Sequence, residues 1–194
     1  MNIDTETLKE LRELTGVSVM QCKKALEEAG GDVEKARIIL QKKGGEAAAK
    51  KSDRALGAGT IGSYVHSTQE IAALVALACE TDFVAKNEEF MSLAREIAMQ
   101  VAAQNPKYIS REEVTEEALQ KAREVFAVEV KDKPADIQEK ILEGKLNAYF
   151  KEQILSEQSF IKDPEKTIGD MISAAVQKFG ENIAIAEISR LSIK

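Results

Sequence analysis

IAALVALACETDFVAKN, residues 71–87, is the stretch on which the architecture turns. Its first nine residues, Ile71 to Cys79, form a continuous apolar run. Composition alone would allow a buried helix, but the run is short and follows a turn, which favours a central strand. Upstream, Ile61, Tyr64 and Val65 lie in a short run that ends at His66-Ser67, so the two segments predict a hairpin. Downstream, Asn87 is placed to cap a long helix over about 88–104, with Phe90, Leu93, Ile97 and Val101 on one face and Asn105-Pro106 as its stop.

The helical pattern dominates on either side. Residues 3–43 read as three short helices. Ile3, Leu8, Leu11 and Leu14 mark the first, which Gly16 ends. Ser18 opens the second with Gln21 as its capping partner, and Val19, Cys22, Ala25, Leu26 and Ala29 form its stripe before Gly30-Gly31. Asp32 caps the third, whose stripe is Val33, Ala36, Ile39 and Leu40, with Gly44-Gly45 as the expected stop. Residues 45–57 are rich in alanine and lysine and read as a linker, either a solvated helix or a tether. Beyond the central segment, Ser110 and Glu113 predict a capped helix to about Val130, Lys133-Pro134 a break, and Ala135 to about Leu155 a further helix. Thr167 and Asp170 open a last helix that Gly180 ends. In the tail, Ile183, Ile185, Leu191 and Ile193 share one parity, which predicts a strand with one buried face.

The expected fold is therefore α+β: a three-helix domain over 1–44, a linker over 45–57, and over 58–194 a small antiparallel β-sheet packed with helices. Composition agrees. The 194 residues are 44% hydrophobic and 31% charged, a globular balance, but only 5% aromatic with no tryptophan, so aliphatic side chains must fill the core. The net charge of -6 argues against a chain that grips nucleic acid with its whole surface. Residues 1–55 hold eleven basic and ten acidic side chains, the remainder sixteen against twenty-three.

Several chemistries lack their residues. No apolar run is long enough to span a membrane, and MNIDTETLKE has neither the basic head nor the apolar stretch of a secretory signal. One histidine and two scattered cysteines, Cys22 and Cys79, cannot supply zinc-ligand pairs and read as buried thiols of a reducing compartment. No phosphate-binding glycine loop and no paired-carboxylate site is discernible. If Cys79 and His66 met across the hairpin, a thiolate–imidazole pair would be available, although an apolar run suppresses thiolate formation. Phe83 beside Asp82 in the strand–helix junction reads two ways. Phe83 tucks into the core while Asp82 caps a turn, or the pair projects as an apolar anchor flanked by a charge, as interface hot spots do. Met20 beside Lys23-Lys24 on the second helix suits a small protein-binding patch, against the alternative of a solvated face.

TGVSVMQCKKALEEAGGD at 15–32 resembles the T-G-x-x-x-M-x-C-K-K-A-L signature of the elongation factor Ts family, and ETDFVAKN at 80–87 its T-D-F-V-A-[RK]-N motif. GSYVH at 62–66, KPADIQEKILEGKL at 133–146, EQSFIKD at 157–163 and GENI at 180–183 follow in the family's order. The resemblance covers the whole chain, in a short form with one core module. It implies a guanine-nucleotide exchange factor for the translational GTPase elongation factor Tu, acting by protein binding, not as an enzyme. The three-helix domain would be ubiquitin-associated-like and dock through Val19, Met20 and Lys23. The core would bind the GDP form and insert the Thr81-Asp82-Phe83 tip, with Val84 and His66 as further contacts, displacing Mg2+ and GDP held by the partner. The resemblance implies no cofactor of the chain's own, no direct nucleic-acid or membrane partner, a cytoplasmic location, and a homodimer formed through the sheet. Ala72, Ala76 and Ala78 stand where the family usually carries Gly, Glu and Asn. A ubiquitin-associated-type adapter and a thiol enzyme are the competing readings.

Overall fold

A three-stranded antiparallel sheet carries the core. In the computed structural model, which describes residues 3–131 and 134–193, Ile71–Cys79 (β2) is the middle strand. Ala58–Val65 (β1) flanks it on one side and Ile183–Ser192 (β5) on the other. The pleat sends Ala73, Val75, Leu77 and Cys79 into the core and Ala72, Leu74, Ala76 and Ala78 to the other face. The helix Glu88–Gln104 (α5) covers the inner face, burying Phe90, Ala94, Ile97, Ala98 and Val101. Asn87 caps it through a bond from the Glu89 N–H, and Asn105 ends it in the left-handed region. The helix backbone lies directly on β1 at Gly62, where a Cβ would stand 2.2 Å from the carbonyl carbon and oxygen of Ala94.

The three N-terminal helices, Thr5–Thr15 (α1), Val19–Glu28 (α2) and Val33–Ala49 (α3), close around Leu11, Val17, Cys22, Ala25, Leu26, Ala36 and Leu40. Val19, expected in the buried stripe, instead lies exposed in the first turn of α2, and Leu14 is exposed as well. The expected stop at Gly44-Gly45 is corrected. The third helix runs through both glycines, because the following EAAA is strongly helix-forming and Gly44 is buried against another helix, Ile168–Phe179 (α8). A Cβ on Gly44 would meet the Ser173 carbonyl oxygen at 3.4 Å, whereas one on Gly45 would meet nothing. Gly45→Ala is therefore expected to stabilise the chain by about 0.5–1 kcal/mol, raising the melting temperature by roughly 1–4 °C in a thermal scan. Arg37 of α3 also pairs with Glu165 at 3.3 Å, beside α8.

Glu116–Val130 (α6) and Ala135–Gln153 (α7) form a helical hairpin around Ala122, Phe150 and Ile154, laced by Lys145–Glu129 at 2.6 Å and by Arg123–Glu139. The capping box expected at Ser110 and Glu113 is not there. Arg111–Glu113 is a single 3-10 turn in which the Glu113 carboxylate accepts the Ile109 N–H, and Thr115 caps α6 instead. Val114 packs into the hairpin's cluster and turns the chain before the helix starts. Of the break expected at Lys133-Pro134, Lys133 lies outside the described residues. A two-stranded ribbon, Ser159–Phe160 (β3) and Asp163–Thr167 (β4), precedes α8, whose capping box at Thr167 and Asp170 and left-handed stop at Gly180 are as expected.

The buried face expected of the tail holds for only half its length. Ala76 pairs with Glu187 but Leu77 pairs with Ile185, so Ala186 is an extra residue that reverses the parity. Ile185 and Ile188 pack on the core, and Arg190 donates from Nε to the Ala102 carbonyl at 3.0 Å. Leu191 and Ile193 are thereby thrown onto the outer face of the sheet, where Ile61, Val65 and Leu74 are exposed too.

Candidate functional site

After β2 the chain makes one helical turn, Asp82–Ala85 (α4), before α5 begins. The turn is amphipathic. Val84 and Ala85 are buried in the core, so Asp82 and Phe83 face outward. The Phe83 ring is 81% exposed, the most exposed large apolar side chain among the described residues. Val84, expected among the contact residues, is corrected to an anchor. It is only 4% exposed because the turn rests on it.

The turn is held at both ends. Lys86 donates to the Asp82 carboxylate at 2.7 Å, and that hydrogen bond keeps the Asp82 carboxyl below the usual carboxylate range. At its start, the backbone N–H groups of Glu80 and Thr81 donate to one oxygen of Glu181 at 3.1 and 3.0 Å, and the Thr81 hydroxyl donates to the other at 2.6 Å. Glu80 accepts the Asn182 N–H at 2.6 Å and a bond from Arg54 at 3.3 Å, which hold its carboxyl low, the Asn182 bond most. The Asn182 side-chain amide donates to the Ser52 and Arg54 carbonyls, tying the entry to β1 into the same loop.

Thiol chemistry finds no geometry. Cys79 pairs with Ala58, while His66 follows Val65, which pairs with Ala72 at the far end of the strand. Seven residues of strand, about 23 Å, separate the two positions. Burial pushes the Cys79 thiol up, with the Glu181 charge adding to it, and the thiol donates to the Thr81 carbonyl at 3.2 Å. His66 sits half-buried at the hairpin turn, with Nδ1 on the Thr68 hydroxyl at 3.0 Å and its ring edge-on to Tyr64. Cys22 belongs to the separate three-helix cluster.

The expected contact residues therefore occupy three places. Thr81, Asp82 and Phe83 stand at one end of the sheet and His66 at the other. Val19, Met20 and Lys23 form an exposed patch on α2, with Met20 64% exposed. No small ligand spans such a set, whereas a macromolecular partner can. Sequence reasoning missed Glu181 and the Glu80–Asn182 link. The signal was the GENI string, whose glutamate precedes the strand that pairs with β2. No helix among the described residues is long and apolar enough to cross a membrane.

Comparison with known proteins gives a consistent result. Residues 4–193 match the family described as Elongation factor TS. Elongation factor Ts of Thermosipho melanesiensis is 49% identical over 193 residues, covering 98% of each chain. That of Thermodesulfovibrio yellowstonii is 49% identical over 194 residues, covering all of this chain and 97% of its own length. The protein of the same name from Thermotoga petrophila is 47% identical over 193 residues, again covering all of this chain.

Proposed function

The chain belongs to the elongation factor Ts family and is a translation elongation factor, and on that premise we propose that it is the guanine-nucleotide exchange factor for elongation factor Tu. The observation that carries the reading is the Phe83 ring, held out in water on a turn whose other side is fastened to the core. An isolated aromatic anchor beside a carboxylate is a means of entering a neighbour's crevice.

Exchange follows from linkage. A factor that binds the nucleotide-free GTPase more tightly than the loaded one weakens nucleotide binding by the same free energy. Burying one phenylalanine supplies about 2–3 kcal/mol, and each 1.4 kcal/mol is about tenfold in nucleotide affinity. The tip alone is too small, and the rest comes from docking over a broad footprint that takes in the α2 patch and His66. Asp82, beside the ring, disturbs the coordination of the partner's Mg2+, which loosens the phosphates. The three-helix domain acts as the ubiquitin-associated-like docking module. The chain breaks no covalent bond and carries no cofactor of its own; GDP and Mg2+ belong to the partner, and the work is done in the cytoplasm without direct contact to nucleic acid or membrane.

The direct experiment loads elongation factor Tu with fluorescent GDP and follows release after the chain is added. Release accelerated with chain concentration supports the reading. An unchanged rate, with the chain still bound, marks an adapter and overturns it.

The outer sheet face supports a homodimer. Ile61, Val65, Leu74 and Leu191 form an exposed apolar surface on three adjacent strands, and such faces are stable in water when a second one covers them. Ile61→Glu with Leu191→Glu is expected to convert a dimer to a folded monomer in sedimentation equilibrium. A parent chain that already sediments as a monomer at micromolar concentration would remove the dimer.

A further inference from the structure

The carboxylate that organises the exposed turn comes from far away in the chain. Glu181 follows the helix stop at Gly180 and lies a hundred residues beyond Thr81, yet it accepts three hydrogen bonds from Glu80 and Thr81, the two residues that lead into the turn. Thr81 is the N-cap residue of α4, where a hydroxyl ordinarily accepts a bond from an amide of the first turn. That cap bond is missing, and the hydroxyl is instead donated to Glu181. A helix of four residues cannot support itself, because nucleation fixes several residues for very few internal bonds. Its shape is imposed from outside, by Val84 and Ala85 sunk in the core, the Cys79 thiol on the Thr81 carbonyl, and Glu181 on the amides and hydroxyl.

We propose that Glu181 is the positioning residue of the exchange tip, acting through Thr81 to hold α4 in the orientation from which Phe83 enters the GTPase. The proposal rests on the reading of Phe83 as the inserting group. Its physical content is preorganisation. A ring on a loosened turn must be ordered at the moment of insertion, and that cost is subtracted from what the ring gives. Glu181 grips the backbone and hydroxyl through hydrogen bonds, so the grip needs two hydrogen-bonding atoms in these positions and not a charge. A glutamine reproduces it, its carbonyl oxygen taking the two N–H groups and its NH2 donating to the Thr81 hydroxyl.

The test compares Glu181→Ala, Glu181→Gln, Phe83→Ala and the Glu181→Ala/Phe83→Ala double variant in GDP release from elongation factor Tu, with amide hydrogen exchange across residues 81–86. Glu181→Ala is expected to slow release at saturating chain about tenfold while shifting the half-saturating concentration little, since the α2 patch is untouched. The amides of the turn should exchange faster. Glu181→Gln is expected within about threefold of the parent, and the double variant no slower than Phe83→Ala alone. Glu181→Ala at the parent rate while Phe83→Ala is slow overturns the proposal and leaves the tip reading standing. So does a glutamine variant as slow as the alanine one, or slowdowns that multiply in the double variant. Phe83→Ala at the parent rate takes down both. If Glu181→Ala does not fold, Thr81→Val removes the hydroxyl alone and is expected to slow release about threefold; the parent rate there refutes the assignment equally.

Discussion

Phe83→Ala is expected to slow GDP release from elongation factor Tu about thirtyfold or more, with no loss of thermal stability. The two halves of that expectation have one cause. The ring is 81% exposed, so removing it takes nothing from the core, and the melting temperature should stay within about 2 °C of the parent. In the proposed complex the ring is buried, and truncating a central aromatic anchor costs about 2 kcal/mol or more, which is about thirtyfold in a rate or an affinity. Because linkage is reciprocal, the variant should also bind nucleotide-free GTPase more weakly by a similar factor. Stopped-flow release of fluorescent GDP gives the first number and titration of the nucleotide-free complex the second. A variant that releases GDP at the parent rate would leave the exposed ring without a role and the exchange mechanism without its wedge.

Gly62→Ala is expected to be the most damaging single methyl in the core. A Cβ there would lie 2.2 Å from the carbonyl carbon and oxygen of Ala94 and 2.7 Å from the Arg95 nitrogen, all backbone. No rotamer relieves a clash with a helix backbone, so α5 must lift away from β1 and open the packing of Ala94, Ile97 and Ala98. The cost is about 3 kcal/mol or more, a fall in melting temperature of roughly 6–12 °C. The same methyl at Gly144, which has nothing within 4 Å, should leave stability unchanged or slightly raised. Differential scanning calorimetry on the two variants separates them. Equal melting points would mean that the helix does not lie on the strand as described. Because α4 leads directly into α5, Gly62→Ala should depress exchange as well, through displacement of the tip.

Where local chemistry is decisive, the sequence was legible. The apolar run at 71–79 became the middle strand, Asn87 and Asn105 bounded α5, and Thr167, Asp170 and Gly180 bounded α8, because caps and stops act within a few residues of themselves. Tertiary contacts overruled the reading elsewhere. Gly44-Gly45 ought to end a helix, but α8 packs against Gly44 and the helix continues. The parity of the tail predicted one buried face, but the extra residue Ala186 turns Leu191 outward, and a bulge is a property of pairing that a single strand does not announce. The tip divides in the same way. TDFVAKN marked the turn, yet whether Phe83 points in or out depended on Val84 taking the buried position, and the Glu181 grip joins residues a hundred apart. Gln100 is a further instance. It sits fully buried in α5 and bonds Ser159 of the ribbon that sequence periodicity did not reveal, together with Gln158 just before it and Ile161 in its turn.

The unbroken α3 has a mechanical meaning. Its 17 residues make a rod about 26 Å long whose first half belongs to the three-helix bundle and whose last half is clamped to α8. To swing the bundle, the molecule must either unwind that rod at its glycine pair or slide it across its clamp, and each route breaks backbone bonds or packing. The span between the Met20 patch and the Phe83 ring is thus gauged by a stiff strut, and a partner that met both, as proposed, would meet them like the jaws of callipers set to one opening.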